Sequence, residues 1–108
     1  MTMKRVIPRL VAQSDLEQAF KYYLDAADAN VAEDFANDFA QTTRLISEFP
    51  ELGSPKYSFE TGLDEMKFCS MKKFPYLIFY TEAEHYIDVW RVLHSHMNIS
   101  EHQSSSDQ

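Results

Sequence analysis

The stretch FPYLIFYTEAEHYIDVWRVLH, residues 74–94, decides the fold because it holds two β-prone runs separated by a short acidic turn. Aromatic and β-branched residues dominate the two runs, at 75–82 and 86–94, and this composition is typical of strands. The link between them is too short for a crossover connection, so we expect an antiparallel hairpin. A third β-prone run near 66–72 precedes the hairpin and extends the predicted sheet.

Upstream of this sheet, the sequence has the periodicity of two amphipathic helices. Ser14 and Glu17 form a Ser-x-x-Glu pattern that predicts the first helix start, and Asn30 with Glu33 predicts the second. Pro50 is expected to end the second helix. The apolar positions recur every three or four residues, and we expect these side chains to be largely buried against the sheet: Phe20, Tyr23, Leu24, Phe35, Phe39 and Ile46.

Together, these elements predict an α+β domain in the order β-α-α-β-β-β, with a helix hairpin packed on one face of a mainly antiparallel sheet. The first strand is expected between Lys4 and Leu10, where Pro8 removes a backbone donor and indicates a sheet edge. We expect a single domain over residues 1–99. Residues 100–108 are polar and include three consecutive serines, so they are expected to form a mobile tail.

The composition limits the possible classes of function. The chain has 108 residues and a single cysteine, Cys69, so we expect a reduced, cytoplasmic protein without an internal disulfide. Its apolar runs are far shorter than the roughly 20 residues that a membrane span requires, so no membrane partner is expected. The net charge of −7 disfavours extensive direct nucleic-acid binding. The charge is uneven, because residues 14–49 are acidic and the later half holds most of the lysines.

Motifs that would identify a common class of enzyme are absent from the sequence. It has no glycine-rich phosphate loop, no His-Glu-x-x-His and no Gly-x-Ser-x-Gly. His94 and His96 would share a face if the last strand continued, but two imidazoles without a clustered thiolate or acid do not predict a zinc site. We therefore expect neither a metal nor a cofactor.

Several short motifs occur in the order and spacing of a known family. They are Ala12, Asp15 and Leu16 near the first helix, Ala32 and Phe35 in the second, Phe49-Pro50 with Leu52-Gly53, FPYLIFY at 74–80 and RVLH at 91–94. In this order and spacing, the sequence resembles the ParE/RelE superfamily of bacterial toxins, and the ParE branch is the closer match. The resemblance extends from Ala12 to about Ile99.

The resemblance implies the toxin of a type II toxin–antitoxin pair, a bacterial system that stabilises a plasmid or a chromosome. It further implies that the toxin poisons DNA gyrase and that a ParD-like antitoxin holds it inactive. Such a toxin inhibits an enzyme and needs no catalytic residues of its own. We expect the basic half of the chain to bind the target through Lys67, Lys72, Lys73, Arg91 and His94. We expect the acidic helical half to bind the antitoxin through Asp15, Phe20, Tyr23, Asp34 and Asp38.

Other interpretations stay open. The RelE branch consists of ribosome-dependent messenger-RNA endoribonucleases, whose chemistry needs an acid, a base and cations around the scissile phosphate. Under that interpretation the catalytic candidates are Lys67, Lys72, Lys73, Tyr80, Arg91 and His94. A third interpretation is a relative that has lost toxicity and only binds its antitoxin. For Arg91 alone, a purely structural role in a pair with Asp88 or Glu65 is also open.

Overall fold

The computed structural model describes residues 3–55 and 66–96, and in these ranges two helices pack on a four-stranded sheet. In chain order the elements are β1 Arg5–Pro8, α1 Leu10–Ala26, α2 Ala29–Glu48, a short 3-10 helix Pro50–Leu52, β2 Lys67–Ser70, β3 Tyr76–Glu82 and β4 Tyr86–His94. This order confirms the predicted fold. The predicted tail at 100–108 and most of the predicted loop at 50–64 lie outside the described residues.

The sheet has the strand order β1-β4-β3-β2, with β1 parallel to β4 and the other pairs antiparallel. The predicted edge position of Pro8 is confirmed, because β1 is an outer strand. The N–H of Arg9 donates to the carbonyl of Val89 at 2.9 Å. Since N–H groups alternate in direction along a strand, the nitrogen of Pro8 points to the open edge. The missing N–H of Pro8 therefore removes no hydrogen bond from the sheet.

The first helix begins five residues before its predicted start. Its N-cap is Arg9 and its first residue is Leu10, directly after β1. Ser14 lies inside the helix, where its hydroxyl oxygen accepts a hydrogen bond from the side-chain amide Nε2 of Gln18 at 3.1 Å. The predicted capping box at Ser14 is therefore wrong. The early start places Ala12 in the core with no exposed surface, and this burial favours the extra helical turn.

The second helix begins after a different cap from the predicted one. Asp28 has an extended backbone, and its carboxylate accepts a hydrogen bond from the N–H of Val31 at 3.0 Å. Asn30 lies within the first turn, so the predicted cap at Asn30 is wrong. Aspartate is among the preferred N-cap residues because its short side chain reaches the free amides of that turn. The helix ends at Glu48, two residues before Pro50, as predicted.

The predicted burial is confirmed for Phe35 and Ile46 of α2. Phe35 is 1% exposed and Ile46 is fully buried, while Phe39 is half-buried against the same core. On α1 the prediction was wrong for Phe20 and Leu24, which are 36% and 44% exposed. The side chains of α1 that are buried are instead alanines.

Ala12 and Ala19 are the buried residues of α1, and they lie two helical turns apart on one face. Their small side chains allow the helix to approach the sheet closely. Leu16 and Tyr23 pack at the margin of the same cluster. The larger apolar residues of the stripe are consequently displaced towards the groove between the helices and towards solvent.

The central strands are buried on both faces. Ile78 and Tyr80 belong to the cluster on the helix side, whereas Phe79 and Leu93 belong to a second cluster. A β-bulge interrupts the pairing of β3 with β4 between Phe79 and Tyr80. Phe79 pairs with Arg91 and the next residue, Tyr80, pairs with Val89, so Trp90 has no partner on β3 and is the extra residue of the bulge. The bulge changes the direction of β4 immediately before Arg91.

Candidate functional site

A carboxylate of α1 binds the part of β4 that lies beyond its pairing with β1. Asp15 accepts hydrogen bonds from Nε and Nη2 of Arg91 at 2.8 and 2.9 Å, and from the N–H of Val92 at 2.9 Å. The side chains of Asp15 and Arg91 are only 11% and 20% exposed. Two charges that the sequence analysis assigned to different surfaces therefore neutralise each other at the junction of helix and sheet.

Arg9 is a structural residue that the sequence analysis missed. It binds Asp88 through two hydrogen bonds of 3.0 and 2.9 Å, and its guanidinium carbon lies 3.4 Å from the ring centroid of Trp90. The hydrogen bond to Asp88 raises the pKa of Arg9. The alternative pairing of Arg91 with Asp88 is not observed, because Asp88 binds Arg9 and Arg91 binds Asp15, while Glu65 lies outside the described residues. No local pattern marks Arg9, because only the parallel pairing of β1 with β4 brings it to these partners.

An open cavity of about 740 Å³ lies between α1 and the end of β4, and it brings together Arg91 and His94 from the predicted set. The ring of His94 packs edge-on against Tyr76 at 5.2 Å, and its Nδ1 accepts a hydrogen bond from the N–H of His96 at 3.1 Å. Burial, with a smaller effect of Tyr23, raises the pKa of Tyr76 to about 12. The cavity wall therefore combines tyrosine and histidine rings with the ion pair of Arg91 and Asp15.

Lys72 and Lys73 lie in the turn between β2 and β3, and their side chains are exposed. The backbone N–H groups of Lys72, Lys73 and Phe74 donate to the carboxylate of Asp38 at 3.2, 2.7 and 3.0 Å. Asp38 is only 3% exposed. A buried carboxylate of α2 thus fixes the backbone of the turn that carries both lysines. We call residues 72–74 the lysine turn.

Lys67 lies apart from the lysine turn. It begins β2, is half-buried, and pairs across the ladder with Tyr80. Lys72 is five positions further along the chain, beyond the last residue of β2, Ser70. The structure therefore does not bring the three predicted lysines together.

Tyr80 is buried and its hydroxyl group is occupied. The hydroxyl donates to the carbonyl of Pro50 at 2.7 Å and accepts from the N–H of Gly53 at 2.9 Å. Burial raises the pKa of Tyr80 to about 12, against a smaller opposing effect of the Gly53 amide. A Cβ atom at Gly53 would collide with this hydroxyl, which explains why the Phe-Pro-x-Leu-Gly segment ends in glycine. Through these two hydrogen bonds, Tyr80 of β3 binds the segment from Pro50 to Gly53 to the sheet.

The residues predicted to bind an antitoxin are divided between the surface and the interior. Phe20 is exposed beside a groove of about 330 Å³ between the helices, and Asp34 is exposed on α2. Tyr23 is half-buried, with ring centroids 5.6 Å from Phe35 and 4.9 Å from Phe74. Asp15 and Asp38 point inward to their hydrogen-bond partners. The groove itself is lined by Leu16, Glu17, Phe20, Phe35, Ala36 and Phe39.

Within residues 3–55 and 66–96, no three His, Cys, Asp or Glu side chains are arranged to hold a metal ion. In the same part of the chain, neither helix has both the length and the apolar character needed to cross a membrane.

The described residues form a helix hairpin on one face of an open, mainly antiparallel sheet. A model of the family described as the ParE toxin of the type II toxin–antitoxin system, parDE, matches residues 6–99. The chain belongs to this ParE toxin family. No curated protein matches the sequence significantly.

Solved structures support the same fold. A chain of the chromosomal ParDE TA system from P. aeruginosa is similar, with a TM-score of 0.70 over 85% of this chain and 96% of that chain. The sequences are only 13% identical, so this likeness concerns the fold and not individual site residues. The predicted ParE-like architecture is confirmed.

Proposed function

We propose that this ParE-family toxin inhibits DNA gyrase in the cytoplasm and that a ParD-like antitoxin neutralises it. The family match over residues 6–99 carries this proposal. In this role the protein binds its target and stabilises the cleaved-DNA state of gyrase, without a proton transfer or a covalent step of its own. It therefore requires an accessible surface and no active site.

The positions of the ribonuclease candidates favour this role over messenger-RNA cleavage. An acid, a base and a cation have to reach one phosphate together. Tyr80 is buried with its hydroxyl bonded, and Arg91 is held by Asp15. Lys67 begins β2, whereas Lys72 lies beyond its last residue, Ser70. Lys67 and Tyr80 therefore do not join the other candidates at one phosphate.

We assign target binding to the lysine turn and the adjacent end of β4. The side chains of Lys72 and Lys73 are exposed, and Ser95 lines a shallow cavity beside them. His94 pairs with Tyr76 at the same end of the sheet. Arg91 contributes to this surface from the neighbouring larger cavity, as a residue already neutralised by Asp15. Lys67 lies at the opposite end of β2, so we place it outside the proposed surface.

We assign antitoxin binding to the groove between α1 and α2. Its floor is apolar, with Phe35 and Phe39, and the exposed ring of Phe20 lies beside it. Glu17 lines the groove and Asp34 is exposed on α2. An amphipathic antitoxin helix with apolar and basic side chains would complement this combination. Asp15 and Asp38 are not part of the proposed surface, because their carboxylates are used inside the protein.

Parallel assays with the purified protein test the proposal. It is added to gyrase in a supercoiling assay with detection of cleaved DNA, and separately to a cell-free translation reaction in which messenger RNA is examined for cuts. We expect trapped cleaved DNA, intact messenger RNA and loss of the gyrase effect after mixing with the co-expressed neighbouring small protein. Cut messenger RNA with normal supercoiling would instead identify a ribonuclease. A protein that binds its neighbour but affects neither assay nor growth would be a non-toxic relative.

A further inference from the structure

Asp38 makes an unusual set of contacts for a residue near the middle of a helix. Its Oδ1 accepts from the N–H of Lys72, and its Oδ2 accepts from the N–H groups of both Lys73 and Phe74. These donors are three consecutive backbone amides, and the residue itself is 3% exposed. One carboxylate on α2 therefore holds the whole lysine turn, 34 to 36 residues further along the chain.

The contact depends on the negative charge of Asp38. Consecutive amides that point to one spot form a concave anion site, and hydrogen bonds to a carboxylate are about twice as strong as those between neutral groups. A buried carboxylate without such donors would be strongly unfavourable. The turn amides and Asp38 thus stabilise each other, and the backbone of Lys72 and Lys73 cannot move away without breaking these bonds.

We infer that Asp38 is a positioning residue for target binding: it holds the lysine turn so that the ammonium groups of Lys72 and Lys73 project from a fixed backbone. This inference rests on the proposed assignment of the lysine turn to the target surface. A rigid backbone reduces the ordering cost that a mobile turn would add to complex formation. Asp38 acts from the protein interior and does not itself touch the target.

Amide hydrogen exchange tests the contact directly. The variant Asp38→Asn keeps the shape of the side chain but removes the charge. Exchange at Lys72, Lys73 and Phe74 should become about tenfold faster, the factor expected for the loss of roughly one hydrogen bond. The matched control is Asp34→Asn, which removes the same charge from an exposed site one helical turn earlier. It should leave exchange in the lysine turn unchanged.

Growth inhibition tests the positioning role without assuming which target is bound. At matched expression, Asp38→Asn should need about threefold to tenfold more protein for the same inhibition. A second control, Ile46→Val, truncates a buried residue of the same helix and separates a general loss of stability from a loss of positioning. At a similar decrease in Tm it should retain its potency. Combined with Lys72→Ala and Lys73→Ala, Asp38→Asn should cause little further loss of potency, because it acts through those side chains.

The outcomes separate this inference from the proposed function. Unchanged exchange in the lysine turn, unchanged potency of Asp38→Asn, or equal losses for Asp38→Asn and Ile46→Val would overturn the positioning role. The positioning role would also be overturned if Asp38→Asn lowered the potency of the Lys72→Ala, Lys73→Ala variant by the same factor as it lowers that of the wild type. If the toxin inhibits growth and Asp38→Asn behaves as expected, but gyrase is unaffected, the positioning role stands and the gyrase proposal fails. A chain that never inhibits growth contradicts both.

Discussion

Asp15 in α1 and Arg91 in β4 form a bidentate ion pair whose carboxylate also binds the N–H of Val92. The residues lie 76 positions apart in the chain. At this edge the carboxylate replaces a neighbouring strand, because the pairing of β1 with β4 ends at Pro8. The first helix is therefore bound to the sheet by charge as well as by apolar contact.

Removal of Asp15 should destabilise the fold. Asp15→Ala removes the bidentate carboxylate from the largely buried guanidinium of Arg91, and breaking a pair of this kind costs about 3 kcal/mol. Urea unfolding should show this loss, while Asp25→Ala, at an exposed site on the same helix, should change the unfolding free energy by less than about 0.5 kcal/mol. Equal effects of the two substitutions would mean that the ion pair does not hold α1 to the sheet.

Two phenylalanines that the helical pattern treats alike should respond differently to truncation. Phe35 is 1% exposed, so Phe35→Ala should lower the unfolding free energy by about 3–5 kcal/mol through loss of buried surface and the resulting cavity. Phe20 is 36% exposed, so Phe20→Ala should cost about 1 kcal/mol or less. Thermal unfolding of both variants checks the order, and a reversed order would contradict the observed burial of Ala12 and Ala19 in place of Phe20.

The strands and helices were predictable because their signals are local. The aromatic and β-branched runs that became β3 and β4, and the stripe of α2, fold as their periodicity indicates. Which side of α1 is buried could not be predicted in this way. Because α1 lies close to the sheet, the small residues Ala12 and Ala19 are buried instead of the larger Phe20 and Leu24. The distance between the helix and the sheet depends on tertiary packing.

Apart from Arg9, the charged residues described above were named from the sequence, but their contacts were not predictable. Charge along the chain indicates where a basic or acidic surface occurs, but it does not show which charges neutralise each other. Asp15 and Asp38 were predicted as surface contacts, although each carboxylate binds amides of a distant strand or turn. Such contacts arise only from the packing of the helix hairpin on the sheet, and no local spacing records them.

Tyr80 should make the stability of the protein sensitive to alkaline pH. Its pKa rises from 10.0 to about 12 on folding because burial favours the neutral phenol. Its contribution to stability is therefore complete below about pH 10 and is lost as the pH rises towards 12. Tyr80→Phe should cost about 1–3 kcal/mol at neutral pH, because the partners of the hydroxyl at Pro50 and Gly53 lose their bonds.

Denaturant unfolding at several pH values checks this behaviour. Between pH 10 and 12 the wild type should lose more stability than Tyr80→Phe, while the similarly shifted Tyr76 contributes equally to both proteins. The folded Tyr80→Phe variant should still inhibit growth, because its hydroxyl has a structural role. A folded but fully inactive variant would return Tyr80 to the catalytic candidates.

The proposed antitoxin groove predicts a separation of binding from toxicity. Phe20→Ser removes an exposed apolar ring beside the groove, so it should weaken co-purification with the antitoxin while leaving the toxic surface intact. The matched control is Tyr22→Ser, which removes an aromatic ring that is 60% exposed and lies outside this groove. The first variant should escape neutralisation in cells and the second should not. Equal antitoxin binding by both variants would place the antitoxin elsewhere.

The lysine turn should carry the toxic activity. Lys72→Ala with Lys73→Ala removes two exposed positive charges while their backbone bonds to Asp38 remain, so folding and antitoxin binding should be preserved. Alanine is a cleaner substitution here than glutamate, because a reversed charge would lie close to the buried carboxylate of Asp38.

The matched control, Lys21→Ala with Arg44→Ala, removes the same charge from exposed positions on the two helices. Growth inhibition and trapping of cleaved DNA should fall only for the first pair, and this difference should shrink at high salt because screening weakens charge attraction. Wild-type potency of the first pair, or an equal loss for both, would show that total charge or another surface is responsible for toxicity.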